Sequence, residues 1–125
     1  MPSWQPVWRD VRFDHAAAGE AVEQLRAAAR RLLAVQEDRA GLADAARLEW
    51  RGRFRVDFDR SHAQQRRWVE SLVARLLLQA ARIEAAAAAA TAEQARREAD
   101  RRRWHDEAAA ERAAEQADRP RPQPH

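Results

Sequence analysis

At 125 residues with no cysteine, the chain has room for one compact unit plus tails, and it carries no disulfide framework, thiolate metal site or cysteine nucleophile. Its 23 basic residues are all arginine, but 20 acids are interleaved with them and the net charge is only +3, so the sequence shows none of the one-sided basic patch that binds nucleic acid tightly. No apolar run approaches the roughly 20 residues of a membrane span, and residues 1–15 lack the basic-then-apolar order of a cleaved signal peptide.

Residues 1–13 hold Pro2, Pro6, Trp4 and Trp8, a mixture that opposes helix and predicts an extended arm bearing exposed aromatics. Asp14 then reads as a helix N-cap with Phe13 just outside it. From there to about Leu48, Leu25, Ala28, Leu32, Val35, Leu42 and Ala46 recur at steps of three, four and seven, the stripe of one helix. Arg39 interrupts that stripe, and Gly41 is tolerable within a helix at a cost of about 1 kcal/mol.

A second helical stripe runs through Phe54, Phe58, His62, Gln65, Val69, Leu72, Leu76, Gln79 and Ile83, widened by Val73 and Leu77. Residues 53–59 alternate apolar and charged side chains as a strand would, but they also fit this stripe and are assigned to the helix. Beyond Ile83 the large apolar residues give way to alanine, glutamate and arginine. The favourable pairs Glu93 with Arg97 and Glu98 with Arg102 extend the helix to about Ala117, where Pro120, Pro122 and Pro124 end it. The expected organisation is an arm at 1–13, a helical hairpin at 14–90, a polar helical extension at 91–118 and a disordered proline-rich tail at 119–125.

The fold class is therefore all-α: a two-helix antiparallel hairpin. Alone, such a hairpin would leave Val73 and Leu77 in water; docking a second hairpin makes a four-helix bundle, so dimerisation is expected. The residues expected to form the interface are Leu25, Leu32, Val35, Trp68, Val69, Leu72, Leu76 and Ile83.

Between the helices lie Trp50 and Gly52, an aromatic followed two residues later by a glycine free to adopt the positive φ of a chain reversal. With a helix of some thirty residues before it, Phe58 several residues after it and a second amphipathic helix beyond, the Trp-x-Gly turn resembles the WXG family of small helical hairpins associated with type VII secretion in actinobacteria. The resemblance covers roughly residues 14–90. It implies an antiparallel four-helix bundle of paired hairpins, homodimeric or heterodimeric, exported by the secretion machinery or escorting a larger substrate. The family's second export element, a tyrosine followed four residues later by an acid, has no counterpart, because the chain has no tyrosine. The nearest stand-in is Trp104 with Asp106 and Glu107, which makes export dependent on a partner that carries the signal.

No other constellation carries chemistry. Asp57, Asp59 and His62 are a poor metal-ligand set without a second histidine or a cysteine. The three serines, one threonine and four histidines form no nucleophile, base and orienter, and three glycines build no phosphate loop. The expectation is a binding protein with no cofactor, no small-molecule substrate and no catalytic activity. Its location is either outside the cell by a type VII-like route or cytoplasmic if the missing tyrosine prevents export. The rivals are a cytoplasmic coiled-coil scaffold and a nucleic-acid or membrane-surface binder that uses the arginines around Arg101–Arg103; for that stretch a solvated helix face is the expected reading.

Overall fold

The computed structural model describes residues 1–50 and 52–122. Two helices pack against each other, α1 from His15 to Glu49 and α2 from Arg53 to Asp118, and no strand occurs among the described residues. Asp14 is the N-cap, as its short acceptor side chain predicts: its carboxylate takes the Ala17 N–H at 2.9 Å and satisfies one of the first-turn donors. Residues 53–59 are helical, and α2 ends two residues before Pro120. The end of the expected disordered tail, 123–125, and Arg51 within the turn lie outside the described residues.

The chain divides into two compact units, residues 14–87 and residues 1–13 with those from 88 onward, close to the division expected at 90. In the first unit the helices meet along a seven-residue repeat of mostly small side chains. Val22, Ala29, Gln36 and Ala43 are the buried positions of α1, and Ala29 clusters with Val69 and Val73 of α2 while Leu32 and Leu76 pack at the edge. A strict seven-residue spacing keeps one edge of a helix facing its neighbour. This seam differs from the expected stripe on α1, since the large residues Val35 and Leu42 lie outside it. Alanine at the contact lets two backbones approach closely, and the bulkier side chains are displaced to the flank. Val73, expected to face water in a lone hairpin, is buried within this one; Leu77 is exposed.

One polar side chain sits in the seam. Gln36 is 8% exposed, and neither its amide nitrogen nor its oxygen meets a hydrogen-bond partner among the described residues. Around it the seam is flanked by polar links between the helices: Arg26 pairs with Glu84, Arg39 donates to Gln65 at 3.3 Å, and Arg47 reaches Asp59 at 2.6 Å. The Arg47 guanidinium is held charged above its ordinary range chiefly by that bond to Asp59. At the turn Gly52 has φ +80°, the left-handed region a Cβ disfavours, and the Trp50 and Phe58 rings meet edge to face at 5.0 Å.

Two outcomes follow for stability. Gly52→Ala should lower it by roughly 1–2 kcal/mol although nothing crowds the position, because the strain is in the backbone. Gln36→Leu should raise it by about 1–2 kcal/mol, since an apolar isostere relieves two buried groups of their missing hydrogen bonds. Both are read by chemical denaturation of the full chain; a Gln36→Leu variant less stable than wild type would show that the glutamine is satisfied in solution.

Candidate functional site

The surface of the hairpin unit has two flanks that its seam defines. Each side chain immediately before a seam residue turns to one flank of its helix, and each one immediately after turns to the other. In an antiparallel pair the preceding positions of both helices share a face. On that face stand Ala21, Ala28, Val35 and Leu42 of α1, ahead of Val22, Ala29, Gln36 and Ala43, and Trp68, Leu72 and Gln79 of α2, ahead of Val69, Val73 and Ala80. Val35 is 50% exposed, Leu42 72% and Trp68 69%. The following positions carry Glu23, Arg30, Glu37, Asp44 and Glu70 with Ala74 and Ala81, and Leu33 and Leu77, which follow the seam-edge Leu32 and Leu76, are exposed there too, so the opposite face mixes charge with apolar surface. Uncovered apolar side chains thus stand on both flanks, and the most exposed of them, Leu42 and Trp68, share the first.

The residues expected at a dimer interface divide between these environments. Val35 and Trp68 project from the apolar face. Leu25, Leu32, Leu72, Leu76 and Ile83 are half-buried along the border of the seam. Val69 lies inside the hairpin's own core, so its contacts are already made within one chain. Trp50 and Gly52 shape the turn as expected. Of the acid and histidine group weighed as a metal site, Asp59 is held by Arg47 and lies 3.9 Å from Arg55, and His62 stacks on Phe58 at 6.1 Å. Among the described residues no group of three or more potential ligands converges on one point, and no helix is long and apolar enough to cross a membrane.

The second unit contains the arm, which sequence reasoning left without a place. Its extended chain runs antiparallel to α2, and the helix reads its backbone with side chains spaced three and four apart. Gln94 accepts the Val11 N–H at 2.8 Å and donates to Asp10 at 3.0 Å. Arg97 donates to the Arg9 carbonyl, Arg101 to the Val7 carbonyl and Trp104 to the Trp4 carbonyl, each at 2.9–3.0 Å. Pro2 and Pro6 are buried. The Trp4 indole N–H donates to Glu107 at 2.7 Å, Arg103 lies over the Trp4 ring at 4.4 Å, and Trp8 meets Trp104 edge to face at 5.3 Å.

Trp104 is consequently 9% exposed, and Glu107 is occupied by Trp4, whereas Asp106 is exposed. Two of the three residues matched to the family's second export element are therefore engaged by the arm. The arginine-rich stretch is in part committed as well: Arg97 and Arg101 hold the arm, and Arg96 pairs with Glu93. The signals for this docking were present as Trp4, Trp8 and Trp104, three large aromatics in segments otherwise poor in apolar surface, but nothing in the spacing joins residues a hundred positions apart.

No protein-family model, curated protein or solved structure matches the chain.

The arm's attachment has a defined pH dependence. Asp10 accepts hydrogen bonds from Gln94 and from Arg101, and these, with the Arg101 charge, hold its carboxyl below the ordinary value of 3.8. A carboxyl so depressed favours the docked arm above the ordinary value, and that contribution is lost as pH falls through the depressed one. Docking should therefore be unchanged from neutral pH to about 4 and weaken below it, and Asp10→Asn should reduce the dependence, leaving only what the Glu107 and Glu111 carboxylates at the arm contribute. The Trp104 indole N–H resonance checks both; a wild-type profile as flat as the variant's would dismiss Asp10 as a clasp.

Proposed function

We propose that the chain is an interaction protein, a WXG-like helical hairpin that pairs with a second hairpin, its own copy or a related chain, and serves as a type VII secretion substrate or as the escort of one. The observation that carries the pairing is uncovered apolar surface on the hairpin: Val35, Leu42 and Trp68 on one flank, with Leu33 and Leu77 among charges on the other. Burying a Val, Leu or Trp side chain of this exposure contributes on the order of 1–3 kcal/mol, and a second hairpin laid on the first flank completes a four-helix bundle.

Support for the family reading is the Trp-x-Gly turn itself, with Gly52 at positive φ and Trp50 packed on Phe58 between two helices. Of the two secretion roles, escort is the better supported. The chain has no tyrosine for the second export element, and its stand-in Trp104 is covered by the arm. A second reading, a coiled-coil scaffold, draws on the length of α2, 66 residues without an assigned break. It predicts pairing through the part of α2 beyond residue 88 and indifference to changes on the hairpin's apolar face.

Size exclusion with light scattering, on the chain alone and mixed with hairpin proteins from the same source, tests the pairing. A particle of twice the chain mass, or a one-to-one complex, is expected. The double substitution Val35→Asp with Leu42→Asp should return it to the single-chain mass while circular dichroism stays helical, because both residues are exposed and outside the seam. Val69→Asp, by contrast, should unfold the hairpin itself. An assembly that survives the double substitution would remove this face as the seat of pairing.

A further inference from the structure

The reversal between the helices carries a depression of about 560 Å³ lined by Glu49, Trp50, Phe54, Asp57 and Phe58. Three aromatic rings and two carboxylates are an unusual lining for a helix turn, and each part has a property that bears on what fits there. The Trp50 and Phe58 rings stand at 90° to one another, so they present an electron-rich face and an edge at a corner. Phe54 is 83% exposed and adds a ring with no large burial of its own. The Glu49 and Asp57 carboxylates enter no ion pair with another described residue, in contrast with Asp44 and Asp59, both taken by Arg47. The carboxyl end of α1 and the amino end of α2 both open at this place, so the two helix dipoles offset each other and the local charge is set by the carboxylates. None of the described residues in the lining is cationic.

A purely apolar occupant would leave the two carboxylates facing it, and an anion would be repelled by them. A planar cation satisfies both demands: it stacks on aromatic rings while its N–H groups meet carboxylate oxygens. The geometry points to the hairpin turn as a binding site for a guanidinium group, the side chain of an exposed arginine on a partner protein, held between Trp50, Phe54 and Phe58 and fixed by Glu49 and Asp57. Arginine fits better than lysine because only its flat group both stacks and forks. The site lies at the turn and does not depend on pairing through the Val35, Leu42 and Trp68 face.

The test uses the full chain in two-dimensional NMR, with the Trp50 indole N–H assigned through Trp50→Phe. N-acetyl-arginine amide and its uncharged isostere N-acetyl-citrulline amide are titrated in turn. The Trp50 signal should shift saturably with the arginine probe in the millimolar range and respond at least about fivefold more weakly to citrulline. The double substitution Glu49→Gln with Asp57→Asn should bring the arginine response down to the citrulline level, and Phe54→Ala should weaken it about threefold, both at unchanged helix content. The same titration on Arg51→Ala removes the guanidinium nearest in sequence that would compete for the carboxylates. Equal responses to arginine and citrulline, or a Trp50 signal unmoved in both wild type and Arg51→Ala, would overturn the assignment. A blocked amino acid cannot pair hairpins, so this result and the measured mass of the assembly stand or fall separately.

Discussion

The packing of Ala29 of α1 against Val69 and Val73 of α2 is the contact around which the surface of the hairpin is arranged. Small side chains at 29 and 43, with Val22 and Gln36 completing the repeat, bring α1 against Val69 and Val73 of α2. Val35, Leu42 and Trp68 cannot enter this seam without forcing the helices apart, and so they gather on the flank. The uncovered apolar face and the tight seam are two results of one choice of residue size. A seam of leucines would have widened the spacing and drawn some of that surface inside.

The unpartnered Gln36 belongs to the same choice. A polar residue in a helix-pair seam lowers stability, and one that meets no partner gains nothing in this alignment to offset the loss. The links Arg26 with Glu84, Arg39 with Gln65 and Arg47 with Asp59 hold the alignment from outside, and each, being at least partly open to solvent, adds only a modest amount of energy.

Much of this was legible in the sequence, and the parts that were not have physical reasons. Asp14 as cap, Gly52 as reversal and the helices on either side are local matters, decided by side-chain reach, allowed φ and periodicity, and the structure has them where the residues put them. Periodicity locates an apolar face but does not say whether the chain or a partner covers it. Large residues dominate the pattern, so Leu25, Val35 and Leu42 drew the stripe, while the buried line runs through the smaller Ala29 and Ala43. Val69 and Val73 were likewise legible as apolar but not as intramolecular. The arm lay beyond such reasoning. Its partners Gln94, Arg97, Arg101 and Trp104 present a helix face that looks solvated in sequence, because three of the four are polar and their targets are main-chain groups common to every residue. At the turn, Trp50 and Phe58 were legible as a clamp, whereas the company of Glu49 and Asp57 needed the three-dimensional arrangement.

The docking of the arm also sets an order of events during synthesis. Trp4 and Val11 bond to residues 103 and 83 positions further along the chain. At the 5–20 residues per second of a translating ribosome, roughly 5–20 s separate the making of Trp4 from the making of Glu107. All residues of the hairpin unit, 14–87, are made within that interval. Trp4 therefore cannot dock until the helix segment that carries Glu107 has been made.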